Sequence, residues 1–295
     1  MSLTTLGPDR IAKTLYRYDS VHEPVASQAD LTAEHLSRFK KLGFLAVENV
    51  FSADEVKTYS QAITDLVAAG NPKIISFEEV AKGRDLSPEE REGYVRKCMY
   101  FVKHEPRLRA MSEHPVLVNI LETLIGHSVR LIQDMALLKP PHVGREKPWH
   151  QDMAYFAITP PELVIGTWTA LDAATLENGC MHVIPGSHLA GPRPHYHDRD
   201  CQLNDEDVAV ANDVVVPLNP GGVLFFSALI HHGTPPNRSA TRRRAIQLHY
   251  AATHCQVIDG DAHAAMFSDS LGYAGCQGFP NGMRPRPIVG RPENI

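Results

Sequence analysis

The 295-residue chain is short of paired-cysteine motifs, of positive charge and of long apolar runs, and each shortage excludes a class of protein. Its five cysteines, Cys98, Cys180, Cys201, Cys255 and Cys276, are scattered, odd in number and never spaced as CxxC. That argues against a disulfide framework and against a thiolate zinc site, and it suits a reducing compartment. Lys and Arg total 29 against 34 Asp and Glu, a formal charge of −5. No global basic field exists to recruit nucleic acid or an anionic membrane, and the run Arg242-Arg243-Arg244 is too short to create one. No apolar run approaches the ~20 residues that span a bilayer. The N-terminal stretch lacks the apolar centre of a signal peptide, and the final Pro-Glu-Asn-Ile is not a peroxisomal tripeptide. The glycine-rich motifs of nucleotide-binding folds are absent too. The expectation is a soluble, cytoplasmic protein that acts on a small molecule, with no nucleic-acid or membrane partner and an oligomeric state the sequence does not reveal.

What is present is an ordinary 43% hydrophobic content in a chain long enough to bury a substantial core. Residues 1–30 are polar and read as an irregular arm. In LTAEHLSRFKKLG, Leu36, Phe39 and Leu42 share one helical face, Thr32 is the N-cap and Gly43 the left-handed stop. Leu31 is placed to staple onto Leu36. Phe44 to Val47 reads as a short buried strand, and a second helix runs from about Ser52, its N-cap, to Ala69. Residues 71–95 read as a charged, partly helical excursion, and another helix lies around Pro115 to Ile125. From Val129 onward, short β-rich runs alternate with turn signals: VRLIQDMALLK, LVIGTWTALD, MHVIPG, DVVVPL, GVLFFSALI and RAIQLHYAA. This spacing favours a mainly β protein with flanking helices around a sandwich or jelly roll (a double-stranded β-helix). One domain is expected over 31–295: a helical part at 31–128, a jelly-roll core at about 129–255 and a C-terminal extension at 256–295. The polar stretch 188–213 is the one large loop in the β region, and loops of that length often serve as lids.

Sixteen histidines make a metal worth seeking. In Trp149-His150-Gln151-Asp152, residues i and i+2 of a strand point to one face, so His150 and Asp152 can offer a nitrogen and an oxygen to one ion. By itself HxD is near what chance supplies in this chain. The second half of the signal is Gly221-Gly222, which turns into an apolar strand over 223–230 ending in His231-His232-Gly233-Thr234. Neighbouring strand residues face opposite ways, so only one of His231 and His232 can enter the same cavity. Two imidazoles and a carboxylate leave three octahedral positions open, as an O2-using Fe(II) site requires. Eleven residues past His232, Arg243 opens the next strand, where a guanidinium can clasp a carboxylate in bidentate fashion.

WHQDMAYF, NGCMHVIPGSH and HHGTPPNRSATRRR together resemble the phytanoyl-CoA dioxygenase family of Fe(II)/2-oxoglutarate oxygenases. The resemblance extends from about Leu36 through LGFLAVENVFSADEV and LLKPPHVG to HYAATHCQVIDGD. It implies that His150, Asp152 and His232 are the iron ligands. It further implies that Arg243 pairs with the far carboxylate of 2-oxoglutarate and that Thr234, where several members carry Ser, is its hydroxyl partner. Lys97, in VRKCMYF, matches a lysine that contacts the co-substrate, and Trp168 and Met135 match residues lining the same pocket. The implied cofactors are Fe(II), 2-oxoglutarate and O2. In the implied reaction 2-oxoglutarate is decarboxylated to succinate and CO2 while a small organic metabolite is hydroxylated. A halogenase needs a small residue in place of the carboxylate ligand, so Asp152 argues against that variant. Desaturation, epimerisation and ring formation use the same ligands.

Other readings stand beside these. An acyl-CoA thioester is the alternative substrate, and a non-catalytic metabolite or metal sensor and an O2-independent cupin-type hydrolase or isomerase are the rival classes. His231 reads as the outward neighbour of the ligand, and His195 to Asp200 as a solvated lid touching substrate rather than a second metal site. Asn178-Gly179 and Pro185-Gly186-Ser187 read as turns, and Arg242 and Arg244 as solvated or facing away from Arg243.

Overall fold

A computed structural model describes residues 8–269. Within them the helices are α1 (Pro8–Thr14), α2 (Ala33–Leu42), α3 (Ala53–Ala69), α4 (Pro88–Arg91), α5 (Pro106–Ser112), α6 (Pro115–Ile125) and α7 (Gly260–Met266). The strands are β1 (Phe44–Val47), β2 (Ile75–Phe77), β3 (Val95–Met99), β4 (Val129–Lys139), β5 (Lys147–His150), β6 (Ile158–Thr159), β7 (Val164–Ala170) and β8 (Met181–Val183). They continue with β9 (Tyr196–His197), β10 (Cys201–Gln202), β11 (Val214–Val216), β12 (Val223–Ser227), β13 (His232–Thr234), β14 (Arg243–Ala252) and β15 (Gln256–Val257). A seven-stranded sheet runs β1-β12-β7-β14-β4-β3-β2 and faces a four-stranded sheet, β11-β8-β13-β5. The ladders are antiparallel, and the result is the expected jelly roll with helices on its outer side.

Local signals decide where the helices start and stop. The Thr32 side chain accepts from the His35 N–H, and Gly43 closes α2 with φ 83°. Ser52 and Glu55 form a reciprocal capping box at the start of α3. The large sheet is covered on both sides, so β12 and β14 are buried at each position. Phe225, Ile246, Leu248 and Tyr250 pack outward with Ile63, Leu108 and Leu121 of the helices. Leu224, Phe226 and Ala245 pack inward with Trp168, Val183 and Val215. Burial on both faces explains why VLFFS is a continuous apolar run rather than an alternating one.

Four features depart from the sequence expectations. Besides the expected β1, the strands β2 and β3 precede Val129 and join the large sheet, so the β architecture draws on the part expected to be helical. Residues 1–30 were expected to be irregular, yet α1 leads into a fastened segment. Tyr16 is buried and stacks on Trp149 at 5.2 Å, while the Trp149 indole donates to the Leu15 carbonyl at 2.8 Å. Val21 and Val25 then bridge Val215 and Val47, one in each sheet. The run 223–230 is not one strand: β12 ends at Ser227, and His232 opens β13 on the opposite sheet. An apolar run cannot show the corner at which a chain passes between two packed sheets, because both sides of the corner are equally buried. Finally, Cys98, Cys180 and Cys255 are free and buried, whereas Cys201 is disulfide-bonded. Of the extension at 256–295, β15 and α7 are described, and residues 270–295 lie outside the described residues.

Gly166, in the middle of β7, links packing to the site. A Cβ there would run into the Phe226 ring, and that ring lies 4.8 Å from the ring of His232. We expect Gly166→Ala to destabilise the protein by about 1–3 kcal/mol through overpacking. It should also weaken divalent-metal binding by pushing Phe226 onto His232. Urea unfolding and a metal titration of the purified variant check the two halves separately.

Candidate active site

His150 ends β5 and His232 begins β13, and the two are direct cross-strand partners. Asp152 does not continue the strand. It opens a 3-10 turn over Asp152–Tyr155, which swings its carboxylate back toward His150. The two residues expected on one strand face are therefore brought together by a different backbone route. Donor atoms of His150, Asp152 and His232 lie within 4.8 Å of one another, and all three residues are buried. Among the described residues, this is the one grouping of three or more such donors compact enough for a metal ion.

The hydrogen bonds settle which nitrogens face inward. Nδ1 of His150 lies 2.8 Å from the Pro148 carbonyl, and Nδ1 of His232 lies 3.1 Å from the Ile230 carbonyl. A carbonyl only accepts, so each Nδ1 carries a proton and each Nε2 is the nitrogen turned toward Asp152. The His150 Nε2 lone pair then points at Asp152 Oδ1, 3.1 Å away. The His232 Nε2 likewise faces Asp152 Oδ2 at 3.4 Å. A lone pair aimed at a carboxylate oxygen, as that of the neutral His150 is, is repelled unless a cation sits between the two. Metal–ligand bonds of ~2.1 Å at right angles place neighbouring donors ~3 Å apart, which matches the 3.1 Å between His150 Nε2 and Asp152 Oδ1.

Electrostatics agree. Burial holds the His150 imidazole neutral, with its pKa lowered to about 3. Burial by itself would raise the Asp152 carboxyl, yet its histidine neighbours, with the His249 N–H bonded to Oδ2, hold it well below the usual carboxylate range. His249 and Gln247 were not singled out from the sequence. Both project from β14, buried, onto Asp152 Oδ2, at 2.7 Å and 2.9 Å. The available signal was the alternation of polar Arg243, Gln247 and His249 with apolar Ile246, Leu248 and Tyr250 along one strand.

These groups open onto a cavity of about 870 Å³, counting the space that merges with solvent. Lys97, Met135, Thr234 and Arg243 line it with the three clustered residues. Trp168 does not line it. It is fully buried behind Arg243, whose guanidinium lies 5.1 Å from its ring centroid, a cation–π contact. Arg243 is 1% exposed and donates to the Leu137 carbonyl at 2.9 Å, but its Nε has no partner among the described residues. Burial lowers its pKa to about 10, so it stays cationic. Lys97 is lowered by burial and then by Lys147. His231 is not among the residues lining the cavity.

The stretch 188–213 was expected to be a lid touching substrate, yet none of its residues lines the cavity among those described. It braces the wall from behind. Arg199 forks onto Asp205 at 2.7 and 2.8 Å and reaches Glu146 at 3.0 Å. Asp200 joins Arg96 at 2.8 Å and Lys147 at 3.3 Å. Nε2 of His195, whose pKa burial lowers to about 3, accepts from the Gln151 N–H at 2.9 Å, between the two residues of the HxD.

A jelly roll in which two imidazoles and a carboxylate converge beside a cavity defines a class, the non-haem iron oxygenases. A family model described as phytanoyl-CoA dioxygenase matches residues 39–245, and the chain belongs to that family. Its class is therefore that of the iron/2-oxoglutarate-dependent dioxygenases. The peroxisomal phytanoyl-CoA dioxygenase of Mus musculus is 28% identical over 248 residues, covering 78% of this chain and 71% of the mouse protein. EvdO2 from Micromonospora carbonacea var. aurantiaca, solved in complex with 2-oxoglutarate, has 25% identity and a TM-score of 0.63. The match covers 84% of this chain and all of that one (100%). The epimerase SnoN, solved with Fe3+, alpha-ketoglutarate and nogalamycin RO, has 22% identity and a TM-score of 0.62 over 77% of this chain and 85% of its own. No helix among the described residues is long and apolar enough to cross a membrane.

Burial lowers His150 and His195 to about 3 and His22 to about 4, from an ordinary 6.5. Each is neutral when folded and binds a proton more readily when unfolded. Their contribution is therefore complete above pH 6.5 and is lost as the pH falls toward 4. The melting temperature of chelator-treated protein should drop steadily from pH 7 to pH 4.5; a flat profile there contradicts the assignment.

Proposed function

We propose that this chain is a hydroxylase of a small organic metabolite, using Fe(II), 2-oxoglutarate and O2. The observation that carries the reading is one cavity with a three-donor cluster on its wall and a buried guanidinium beside it, unpaired with any carboxylate among the described residues. The donor set fits iron, since both imidazoles present Nε2 and the carboxylate is held ionised. His150, Asp152 and His232 would hold the metal. Arg243 fits the far carboxylate of 2-oxoglutarate, because its unsatisfied Nε is a buried donor waiting for an acceptor. Thr234, 4% exposed on β13, offers a hydroxyl to the same carboxylate, and Lys97 adds a desolvated ammonium. Met135 supplies apolar lining opposite Gln247 in register, and Trp168 acts by holding the Arg243 plane rather than by contact.

When bound, iron with 2-oxoglutarate and O2 supplies the oxidation of a C–H bond coupled to loss of CO2 and formation of succinate. The protein's part is orientation and exclusion of water. The locked Nδ1 protons keep both imidazoles from rotating, and the buried guanidinium fixes one end of the co-substrate. The outer wall, braced by Arg199 and Asp200, leaves room beside the cluster for a second small molecule. An acyl-CoA thioester is the second reading, and what favours it is the activity in the name of the mouse relative.

Succinate formation with Fe(II), ascorbate and 2-oxoglutarate tests the activity. Asp152→Ala should reduce it to background; succinate produced equally by this variant refutes the reading. Arg243→Gln should raise the KM for 2-oxoglutarate by about 10–100-fold, the worth of a charge-assisted hydrogen bond. A mass-spectrometric screen of metabolites and acyl-CoA esters for products that gain one oxygen separates the two substrate classes.

A further inference from the structure

We infer that Gln247 and His249 are positioning residues that hold Asp152 to single-oxygen coordination, leaving the rest of the metal's positions for co-substrate and O2. The inference rests on the metal reading above and goes beyond its ligand set. It begins with an asymmetry between the two oxygens of one buried carboxylate. Oδ2 accepts from His249 Nε2 at 2.7 Å and from Gln247 Nε2 at 2.9 Å. The roles are determined. A carboxylate only accepts, so His249 Nε2 carries its proton, and His249 Nδ1 has no partner among the described residues. The Gln247 and His249 nitrogens are 3.3 Å apart because both donate to the same oxygen. Oδ1 has neither donor, while Oδ2 also lies 3.4 Å from His232 Nε2. The neighbour of Oδ1 is His150 Nε2 at 3.1 Å, which presents a lone pair.

Two N–H groups occupy the lone-pair directions of Oδ2, and a metal cannot take those directions without displacing them. Oδ1 is left as the oxygen free to bind. A carboxylate without such donors can bind through both oxygens and use one more coordination position. Strand geometry makes the device rigid. Gln247 and His249 are i and i+2 on β14, on one face, and both are buried. β14 is hydrogen-bonded on both sides, to β4 and β7, so neither residue can retreat with its backbone. Phe156 and Phe226 flank the His249 ring at 4.7 and 6.1 Å.

Co(II) binding to the metal-free full chain provides a readout independent of turnover. Affinity is read by competition with a chelator, and coordination by the visible absorption of the bound ion. His249→Leu and Gln247→Leu should each weaken Co(II) by about 10–100-fold, as loss of a partner to a ligand typically does. Both should also alter the visible spectrum. His249→Gln, which can keep an N–H near Oδ2, should restore much of the affinity and the parent spectrum. Melting of the metal-free variants isolates folding. If His249→Leu lowers the metal-free melting temperature but leaves Co(II) affinity and spectrum unchanged, the role is structural and the inference is wrong. It is equally wrong if both leucine variants match the parent. A parent chain that binds no Co(II) overturns the metal reading itself, and this inference falls with it.

Discussion

Removing a carboxylate from water costs several kcal/mol even after relaxation, and Asp152 is 4% exposed. The interior around it is organised to offset that cost. Two N–H donors from β14 cover one oxygen, while two imidazole Nε2 atoms from β5 and β13 face the carboxylate from the opposite sheet. Neither half suffices. The donors alone would make a structural hydrogen-bond network, and the His150 lone pair alone would be repulsive. Together they leave one direction of unscreened negative potential, and a divalent cation fits it. The jelly roll supplies this through register: β5 and β13 place His150 opposite His232, and β14 crosses the other wall with Gln247 and His249 on its inner face.

Much of the rest of the chain keeps that register from drifting. Gln151, between the two residues of the HxD, donates its side-chain amide to the Gly191 and Leu229 carbonyls and accepts from the Arg193 N–H. Its backbone N–H is held by His195. His263 of α7 approaches the Met153 carbonyl at 2.8 Å, one turn further on. The N-terminal segment stacks Tyr16 on Trp149, next to His150, and Tyr16 also donates to Glu146 at 2.9 Å. Segments far apart in sequence thus converge on residues 146–155. The high histidine count follows: His195, His249 and His263 have no place in the ligand set, yet each bonds to that stretch or to its carboxylate.

How much of this could be read in advance depended on the range of the signal. Helix caps are local chemistry, so Thr32, Ser52 and Gly43 marked their boundaries. His150, Asp152 and His232 were legible as a spacing pattern with Arg243 behind it. His249 and Gln247 were not, because one polar residue on a buried strand looks like any other until the opposite wall is known. The corner between β12 and β13 was hidden for a related reason: burial on both sides erases the break that turn residues would show. The stretch 188–213 misled in the other direction. Its charge reads as solvent exposure, but Arg199 and Asp200 are paired with wall residues that are themselves largely buried.

The end of the cavity at Arg243 has its own logic. Arg243 and Lys139 are cross-strand partners on β14 and β4, both buried, so two basic side chains share one confined space. Burial, and then Arg243, hold Lys139 well below its usual range, and its ammonium nitrogen is spent on the Arg145, Thr234 and Pro235 carbonyls. Arg243 resists the same pressure because its charge is delocalised and rests on the Trp168 face. The pair therefore divides the work. Lys139 ties together the loops that carry Thr234 and Arg145, and Arg243 keeps the one strong charge at that end. With a carboxylate at the cluster and a guanidinium also on its wall, the cavity carries fixed charge of both signs. Such a field suits a ligand that chelates a cation at one end and carries a carboxylate at the other.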